Sequence, residues 1–332
     1  KLIDHIDLRI YSFIISMGLA IACLGMYILY NSVVFLFFII FALRFFGQGA
    51  MSHAGETTMA RYFGKNRGKA ISVGTFGGMI GVMILPLIVV YFTKIIGWQH
   101  VWLVASLSIL IFFLPLLFLS LQDQNIRHSN FTESIKDNEE SKRWKTREVV
   151  VDKKFYVYLP LSIATSFIGT GLTFHQIFII NQKGWTMDML GSSYVFLGIF
   201  SIIGLIFGGP IIDKYNTKKI ILFALLPLFL GVLTLIFFDS YYSMLVYMSL
   251  LGLNLGITAP FIGSLWAELY GLESLGSVKA LLHACGVFAS ALSPVIFGYI
   301  IDAGFGIVAI SVISLVIIIV STSLPIFYKH IE

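Results

Sequence analysis

Charged residues are scarce in this chain of 332 residues. Lysine, arginine, aspartate and glutamate together make up 12% of it, against about 25% in ordinary soluble domains. So few charges exclude a water-soluble globular fold, because its surface could not be covered. Cysteine is nearly absent as well: Cys23 and Cys285 both lie inside apolar runs. We therefore predict no disulfide framework, no metal site and no cofactor.

Hydrophobic residues make up 58% of the chain and gather in long runs. A helix of about twenty apolar residues crosses a hydrocarbon core of ~30 Å. The predicted fold class is an all-α membrane protein with ten transmembrane helices. Their approximate positions are 10–30, 33–60, 68–94, 98–120, 155–181, 188–211, 217–238, 241–269, 276–300 and 304–328.

The basic residues predict the orientation. With both ends of the chain in the cytoplasm, nineteen of the 22 lysines and arginines fall in inside loops. The outside loops hold only Lys94 and Lys183, and Arg44 lies within a span. This bias follows the positive-inside rule. We therefore read the net charge of +5 as a topology signal and predict a multi-pass protein of the cell membrane without a nucleic-acid partner.

One segment occurs twice, at 59–86 and again at 266–294. Each copy carries spaced glycines and small residues and ends in a proline, Pro86 or Pro294. A second pair lies upstream of these copies, at 1–10 and 209–220. Two halves built on one plan, in so apolar a chain, indicate a membrane transporter.

The repeat also predicts the domain organisation. A hydrophilic linker at 121–154 separates an N-terminal helical half, 1–120, with four spans from a C-terminal half, 155–332, with six. The repeat aligns the first four spans with the last four, which leaves the fifth and sixth without partners. We therefore expect twelve helices in the complete protein, with the first two lacking here.

These residues resemble the major facilitator superfamily of secondary transporters. Gly209, Asp213 and the following lysines are similar to a signature loop of that family, and RFFGQGA from Arg44 is similar to its fourth helix. The segment RYFGKNRGKA resembles the branch of monocarboxylate-type and related uncharacterised carriers. The resemblance implies that the halves correspond to helices 3–6 and 7–12. It also implies a cytoplasmic latch formed by Asp4, Asp213, Arg9, Arg61 and Lys218, for which ordinary solvated loop charge is the alternative.

Polar residues inside the spans are the candidate site, because an ionisable group within a membrane is costly unless it faces a cavity or a partner. Arg44 leads, since its guanidinium fork suits a carboxylate. Its alternative is a structural bond to backbone carbonyls. His53 and Glu56 form either a protonatable pair or a structural one. Candidate substrate-binding residues are Arg44, Gln48, His175, Gln176 and Asn254, and candidate proton-coupling residues are His53, Glu56 and His283.

The predicted function is a monomeric secondary carrier that moves a small organic anion, such as a carboxylate, by alternating access. Proton coupling is a further expectation that rests on Glu56 and the histidines. An exporter or facilitator of lipophilic compounds is the alternative within transport, and a non-transporting membrane sensor is the alternative outside it. An enzyme is not predicted, because no nucleophile with a base and no phosphate-binding motif occurs.

Overall fold

The computed structural model describes residues 8–52, 54–55, 58–59, 67–122, 144, 146–215, 217, 220–271 and 274–331, with the backbone alone at 67–72, 213, 275–277 and 329–331. All the extended regular structure in these ranges is helical. Eight of the helices are long and apolar enough to cross a bilayer. The predicted all-α membrane fold is confirmed.

Two features raise the number of apolar segments in the described ranges from eight to ten. The longest span, Val73–Ser120, has 48 residues and is divided at Gly97, where φ is 79° and ψ is 154°. Glycine adopts this backbone conformation readily because it has no Cβ. A further apolar helix, Leu226–Phe237, has 12 residues. The ten segments lie where the sequence predicts ten spans.

The chain divides into two compact units, Lys1–Gly78 with Ile88–Glu140, and Met79–Leu87 with Ser141–Glu332. In the first unit, the hydroxyl group of Ser106 donates a hydrogen bond of 2.8 Å to the carbonyl oxygen of Ala20. The helices up to residue 120 are α1 Leu8–Ile28, α2 Val33–Leu43, a π-helical segment Arg44–Met51, α3 Arg67–Ser108, a second π-helical segment Ile109–Phe113, and α4 Leu114–Ser120.

Local signals explain where several helices of the second unit begin and end. Asp152 caps the helix Lys153–Phe174 by accepting a hydrogen bond from Lys154 N–H at 2.9 Å, and Gly184 ends the helix Gln176–Lys183 with φ of 68°. Ser240 caps the helix Tyr241–Tyr270, and Pro227 lies in the first turn of the helix Leu226–Phe237, where a missing N–H costs nothing. The helices are α5 Thr146–Val151, α6 Lys153–Phe174, α7 Gln176–Lys183, α8 Met187–Tyr215, α9 Ile221–Ala224, α10 Leu226–Phe237, α11 Tyr241–Tyr270, α12 Leu275–Asp302 and α13 Ile307–Ile331.

Helices α8 and α11 pack backbone against backbone. A Cβ added to Gly252 would lie 2.1 Å from the carbonyl oxygen of Leu197, and one added to Gly256 would lie 2.1 Å from that of Ser201. Small residues of this kind let two helices in a membrane approach closely enough for extensive van der Waals contact. Glycine at both positions therefore fixes the pairing of α8 with α11, around which the buried side chains of the second unit collect.

Candidate functional site

Arg44 begins a π-helical segment that interrupts the second span. Its side chain is half-buried, and Gln48 is exposed four residues later, close to the same helical face. Gly47 and Gly49 lie inside this segment, and glycine weakens an α-helix by about 1 kcal/mol relative to alanine. The change from an α-helical to a π-helical hydrogen-bond pattern therefore costs little free energy here. Such irregular turns are frequent at functional sites.

Several predicted site residues lie outside the described residues. They are the proton-coupling candidates His53 and Glu56 and the latch candidates Asp4, Arg61 and Lys218. For Asp213 the structure describes only the backbone, which lies near the end of helix α8. The predicted roles of all six residues stay predictions.

Arg9, the remaining latch candidate, binds the end of helix α4. Its Nε donates to the carbonyl oxygen of Leu121 at 2.8 Å, and its Nη2 donates to that of Gln122. Carbonyl groups at a helix C-terminus lack partners within the helix and carry partial negative charge. The guanidinium therefore joins α1 to the end of α4 within the first unit.

His175 lies at the break between α6 and α7, where its φ is −93° and its ψ is 18°. Its Nε2 lies 2.9 Å from the carbonyl oxygen of Pro294 in α12. A carbonyl oxygen only accepts, so Nε2 carries the hydrogen in this contact. The imidazole thus joins two helices of the second unit and neighbours Gly298, one turn further along α12.

Gln176 is bound to a tyrosine of the neighbouring helix. Its Oε1 accepts a hydrogen bond of 2.6 Å from the hydroxyl group of Tyr194 in α8. Beside it lies a cavity of about 10 Å³ whose lining includes Trp185 and Tyr247. That volume suits about one water molecule. An organic anion does not fit this cavity as it stands.

Asn254 is fully buried in α11, and both ends of its amide are engaged. Its Oδ1 accepts from the hydroxyl of Thr165 at 3.0 Å, and its Nδ2 donates to the carbonyl oxygen of Ala224 at 3.1 Å. Ala224 ends the short helix α9, where carbonyl groups lack intrahelical partners. The contacts of Asn254 therefore join α6, α9 and α11.

His283, the last proton-coupling candidate, is exposed on α12, one turn after the exposed Lys279. The Nζ of Lys279 lies 3.9 Å from the place where a Cβ of Gly263 would be. By the repeat alignment Gly263 is the counterpart of Glu56. Helix α12 therefore places a cation beside the position that carries a carboxylate in the other half.

Glu268 forms a polar contact that could not be recognised from the list of candidate site residues. Its Oε2 accepts a hydrogen bond of 2.5 Å from the Thr217 hydroxyl, and its Oε1 accepts one of 3.4 Å from Thr217 N–H. The carboxylate thus binds Thr217, which follows the signature residue Asp213 by four positions in the sequence. The repeat provides a signal for it, since Ala267 matches Ala60 and Glu268 therefore matches Arg61.

A cluster at the end of α11 also escaped the sequence analysis. The hydroxyl of Tyr270 donates to Asp152 Oδ2 at 3.0 Å, and the ring of Tyr270 stacks on Trp266 with the centroids 5.8 Å apart. Trp144, in the segment predicted to be a solvated linker, packs edge-on against Tyr270 at 5.3 Å. The last part of that linker therefore belongs to the packed second unit.

These features define a class before any comparison. A chain whose described part is built from ten apolar helical segments, with isolated polar side chains at helix breaks and irregular turns, is a multi-pass membrane protein. The family model described as Major Facilitator Superfamily matches residues 1–240 and 161–332. These two matches span the whole chain, so the chain belongs to the Major Facilitator Superfamily. It is a secondary transporter and not an enzyme.

Solved structures agree on the fold. A bacterial homologue of the human lysosomal transporter Spinster, in an inward-facing and occupied conformation, is similar with a TM-score of 0.61 and 14% identity, over 97% of this chain and 84% of that one. The inward-facing and unoccupied structure gives a TM-score of 0.59 and 15% identity, over 98% and 81%. Comparison with curated protein sequences finds no match.

Proposed function

We propose that this transporter carries a small organic anion, with a carboxylate as its recognised group, across the cell membrane by alternating access. The observation that carries the proposal is Arg44. It is a half-buried arginine at the start of an irregular helical turn within a span. A cation inside a membrane is costly enough that such residues generally serve substrate or ion movement.

The chemistry of arginine favours an anion as the cargo. Its guanidinium group stays charged and presents a planar fork that matches both oxygens of a carboxylate. Gln48 is exposed on nearly the same face and has an amide that can donate a further hydrogen bond. A cavity for hydrophobic cations would instead call for carboxylate side chains.

The polar groups of the second unit support an asymmetric site. His175, Gln176 and Asn254 each hold a partner on another helix. Their contacts favour structural roles, although substrate binding by these residues stays a prediction. We therefore assign selection of the anion to the first half of the chain.

Proton coupling completes the proposal and rests on His53, Glu56 and His283. A histidine or a partly buried carboxylate changes its charge near neutral pH when its surroundings change. We further propose that the latch residues Asp4, Arg9, Arg61, Asp213 and Lys218 act at the cytoplasmic face, with both ends of this chain in the cytoplasm. The transporter would act as a monomer with a small-molecule substrate and protons as its partners.

The test is uptake into proteoliposomes that contain the full-length protein. Radiolabelled monocarboxylates and dicarboxylates are offered with an inward proton gradient, with that gradient collapsed by an ionophore, and with empty liposomes. We expect accumulation of at least one carboxylate, which falls when the gradient is collapsed and is lost in Arg44→Gln. Arg147→Gln, in the exposed face of α5, is the matched control and should behave as wild type.

Three outcomes would contradict parts of the proposal. Uptake that is unaffected by Arg44→Gln and by the proton gradient removes both anion selection and coupling. Uptake of lipophilic compounds in place of carboxylates supports the exporter or facilitator. A sensor would accumulate no substrate at all, although it would still bind one.

A further inference from the structure

We propose that an apolar cavity beside helices α8, α9 and α11 binds one acyl chain of an anionic phospholipid from the bilayer, with the lipid phosphate at Lys214. The cavity has a volume of about 370 Å³, within the range of ~300–1,000 Å³ typical of ligand pockets. This inference is independent of the cargo proposed above. The cavity is lined by Gly208, Ile211, Ile212, Tyr215, Ile220, Phe223, Ala224, Ile257 and Phe261.

The lining selects an apolar occupant. Eight of the nine side-chain positions are hydrocarbon, aromatic or glycine, and the ninth, Tyr215, is an aromatic ring with one hydroxyl. A polar solute placed here would leave its hydrogen-bonding groups without partners, which costs several kcal/mol in an apolar medium. An acyl chain brings no such groups, so the cavity suits it.

The sequence explains why the cavity is open. Helix α9 has only four residues and ends at Ala224, since the chain breaks at Leu225 before Pro227. Glycine at 208 and alanine at 224 place little or no side chain in the space. A Cβ added to Gly208 would lie 3.3 Å from the Cα of Ile257, so α8 and α11 already approach closely on one side. On the other side of the cavity, helix α9 is too short to fill the space.

The rim of the cavity lies in a surface that suits lipid. Phe223 is 61% exposed, Tyr215 48% and Ile211 46%. Their neighbours Leu222, Phe207 and Ile206 are also exposed. In a span of a membrane transporter such a surface contacts acyl chains, so a chain can enter the cavity sideways from the bilayer.

A positive charge lies near one end of the cavity, where the lipid headgroup would bind. Lys214 is exposed, and its Nζ lies 5.1 Å from the centroid of the Tyr215 ring, which itself lines the cavity. Lys218 and Lys219 follow within five positions in the sequence. Tyrosine and lysine at the end of a span are typical of the headgroup level, where basic clusters attract anionic lipids.

The test maps the lipid directly. The full-length protein is placed in nanodiscs with phosphatidylglycerol that carries a photoactivatable diazirine on its acyl chain, and crosslinks are located by mass spectrometry. We expect crosslinks concentrated in the peptides that contain 208–224 and 257–261. Ala224→Phe fills the cavity, and it should lower labelling there to the level of the other lipid-facing helices. Val246→Phe, at an exposed position of helix α11 outside the cavity lining, is the control and should leave labelling unchanged.

The charge is tested separately by competition with unlabelled lipid. Unlabelled phosphatidylglycerol should protect the cavity peptides against crosslinking better than phosphatidylcholine does. Lys214→Gln should reduce this preference by about fivefold, the effect of roughly 1 kcal/mol for one lysine near an anionic surface. Lys153→Gln, an exposed lysine at the start of α6, should not. Should Ala224→Phe fail to fold, Ile220→Trp is the second filling variant.

Labelling spread evenly over the lipid-facing helices would overturn the proposal, as would labelling that survives both filling variants. Equal protection by the two phospholipids in the wild type would remove the anionic headgroup. Protection by an apolar solute but not by any phospholipid would identify the cavity as a site for a different ligand and would contradict the lipid assignment.

Discussion

The two units differ in how completely their spans are buried. In each of the five long spans of the second unit, 28–44% of the most apolar 18-residue stretch is buried. In the first unit the share is 33% in Leu8–Ile28 but only 6% in Val33–Met51, and it is 11% in Val73–Ser120, of which Met79–Leu87 belongs to the second unit. The buried hydrophobic cluster of the second unit reaches every one of its long helices, while that of the first gathers around Leu8, Ile15 and Ala54. The second unit therefore holds itself together by packing to a degree that the first does not.

The polar side chains of the two units also differ in their surroundings. In the second unit, His175, Gln176 and Asn254 join helices where α6 and α9 end or break. In the first, Arg44 begins a π-helical turn that contains Gly47 and Gly49. The difference teaches that a polar group within a span is not by itself a sign of a substrate site. The three side chains of the second unit complete the hydrogen bonding of interrupted helices, whereas Arg44 carries a charge, for which we propose anion binding.

The largest effect is expected where the second unit packs most closely. Gly256→Ala should destabilise the second unit by about 3 kcal/mol, the upper end of the usual cost of overpacking, because the new methyl group would lie 2.1 Å from the backbone carbonyl oxygen of Ser201. Gly209→Ala in α8 is the matched control, since nothing lies within 4 Å of its Cβ position. The melting temperature of the purified protein measures both. Equal melting temperatures would show that the close approach of α8 and α11 does not support the unit.

A smaller loss of stability is expected for Asn254→Leu. This change keeps the size of the side chain but removes both bonds, to Thr165 and to Ala224. Hydrogen bonds between helices in a membrane contribute about 0.6 kcal/mol each on average, so we expect the loss of two to lower the free energy of unfolding by roughly 1 kcal/mol. Carboxylate affinity should stay unchanged in the folded variant. Lost affinity with unchanged stability would move Asn254 into the substrate site.

The smallest effect is expected at an ion pair near the surface. Lys183 at the end of α7, whose side chain is 5% exposed, pairs with Asp239, which is 76% exposed, and also donates to the carbonyl oxygen of Phe238 at 3.1 Å. Methionine keeps the hydrocarbon part of the lysine side chain, and the Asp239 carboxylate stays in water, so the change mainly removes the ion pair. Ion pairs near the surface contribute about 0–1 kcal/mol and weaken with salt. Lys183→Met should therefore lower the melting temperature slightly at low salt and less at high salt. A large loss that is independent of salt would show that the lysine supports packing instead.

Hydropathy is enough to predict the ten segments, because a span is defined by the length of its apolar run. The break between the third and fourth segments is a further example, since Gly97 follows the run that ends at Lys94 and permits the turn. The hydrophilic composition of 121–154 predicts a linker but not its packed end. Trp144 and Asp152 find partners in α11 and its following turn, far along the chain.

The polar residues are harder to interpret from sequence, because their meaning depends on partners distant in the chain. Asn254 is a site candidate by its position in a span, yet its partner Ala224 lies 30 positions away. The π-helical turn at Arg44 could not be predicted, since its apolar pattern over eight residues is close to that of an α-helix. Pro227 was the available signal for the structural role of Asn254. A proline breaks the helix, and the carbonyl groups before the break then need hydrogen-bond donors from elsewhere.

The most direct test of the asymmetric anion site is the rise in melting temperature that a transported carboxylate produces. A ligand that binds the folded protein stabilises it in proportion to the logarithm of its concentration over Kd. Loss of a charge-assisted bond, about 1.5–3 kcal/mol, should weaken binding roughly tenfold or more. We predict that Arg44→Gln lowers the carboxylate-induced rise to roughly a third or less at about ten times the wild-type Kd, while Arg147→Gln preserves it. A rise of wild-type size in Arg44→Gln would contradict the account.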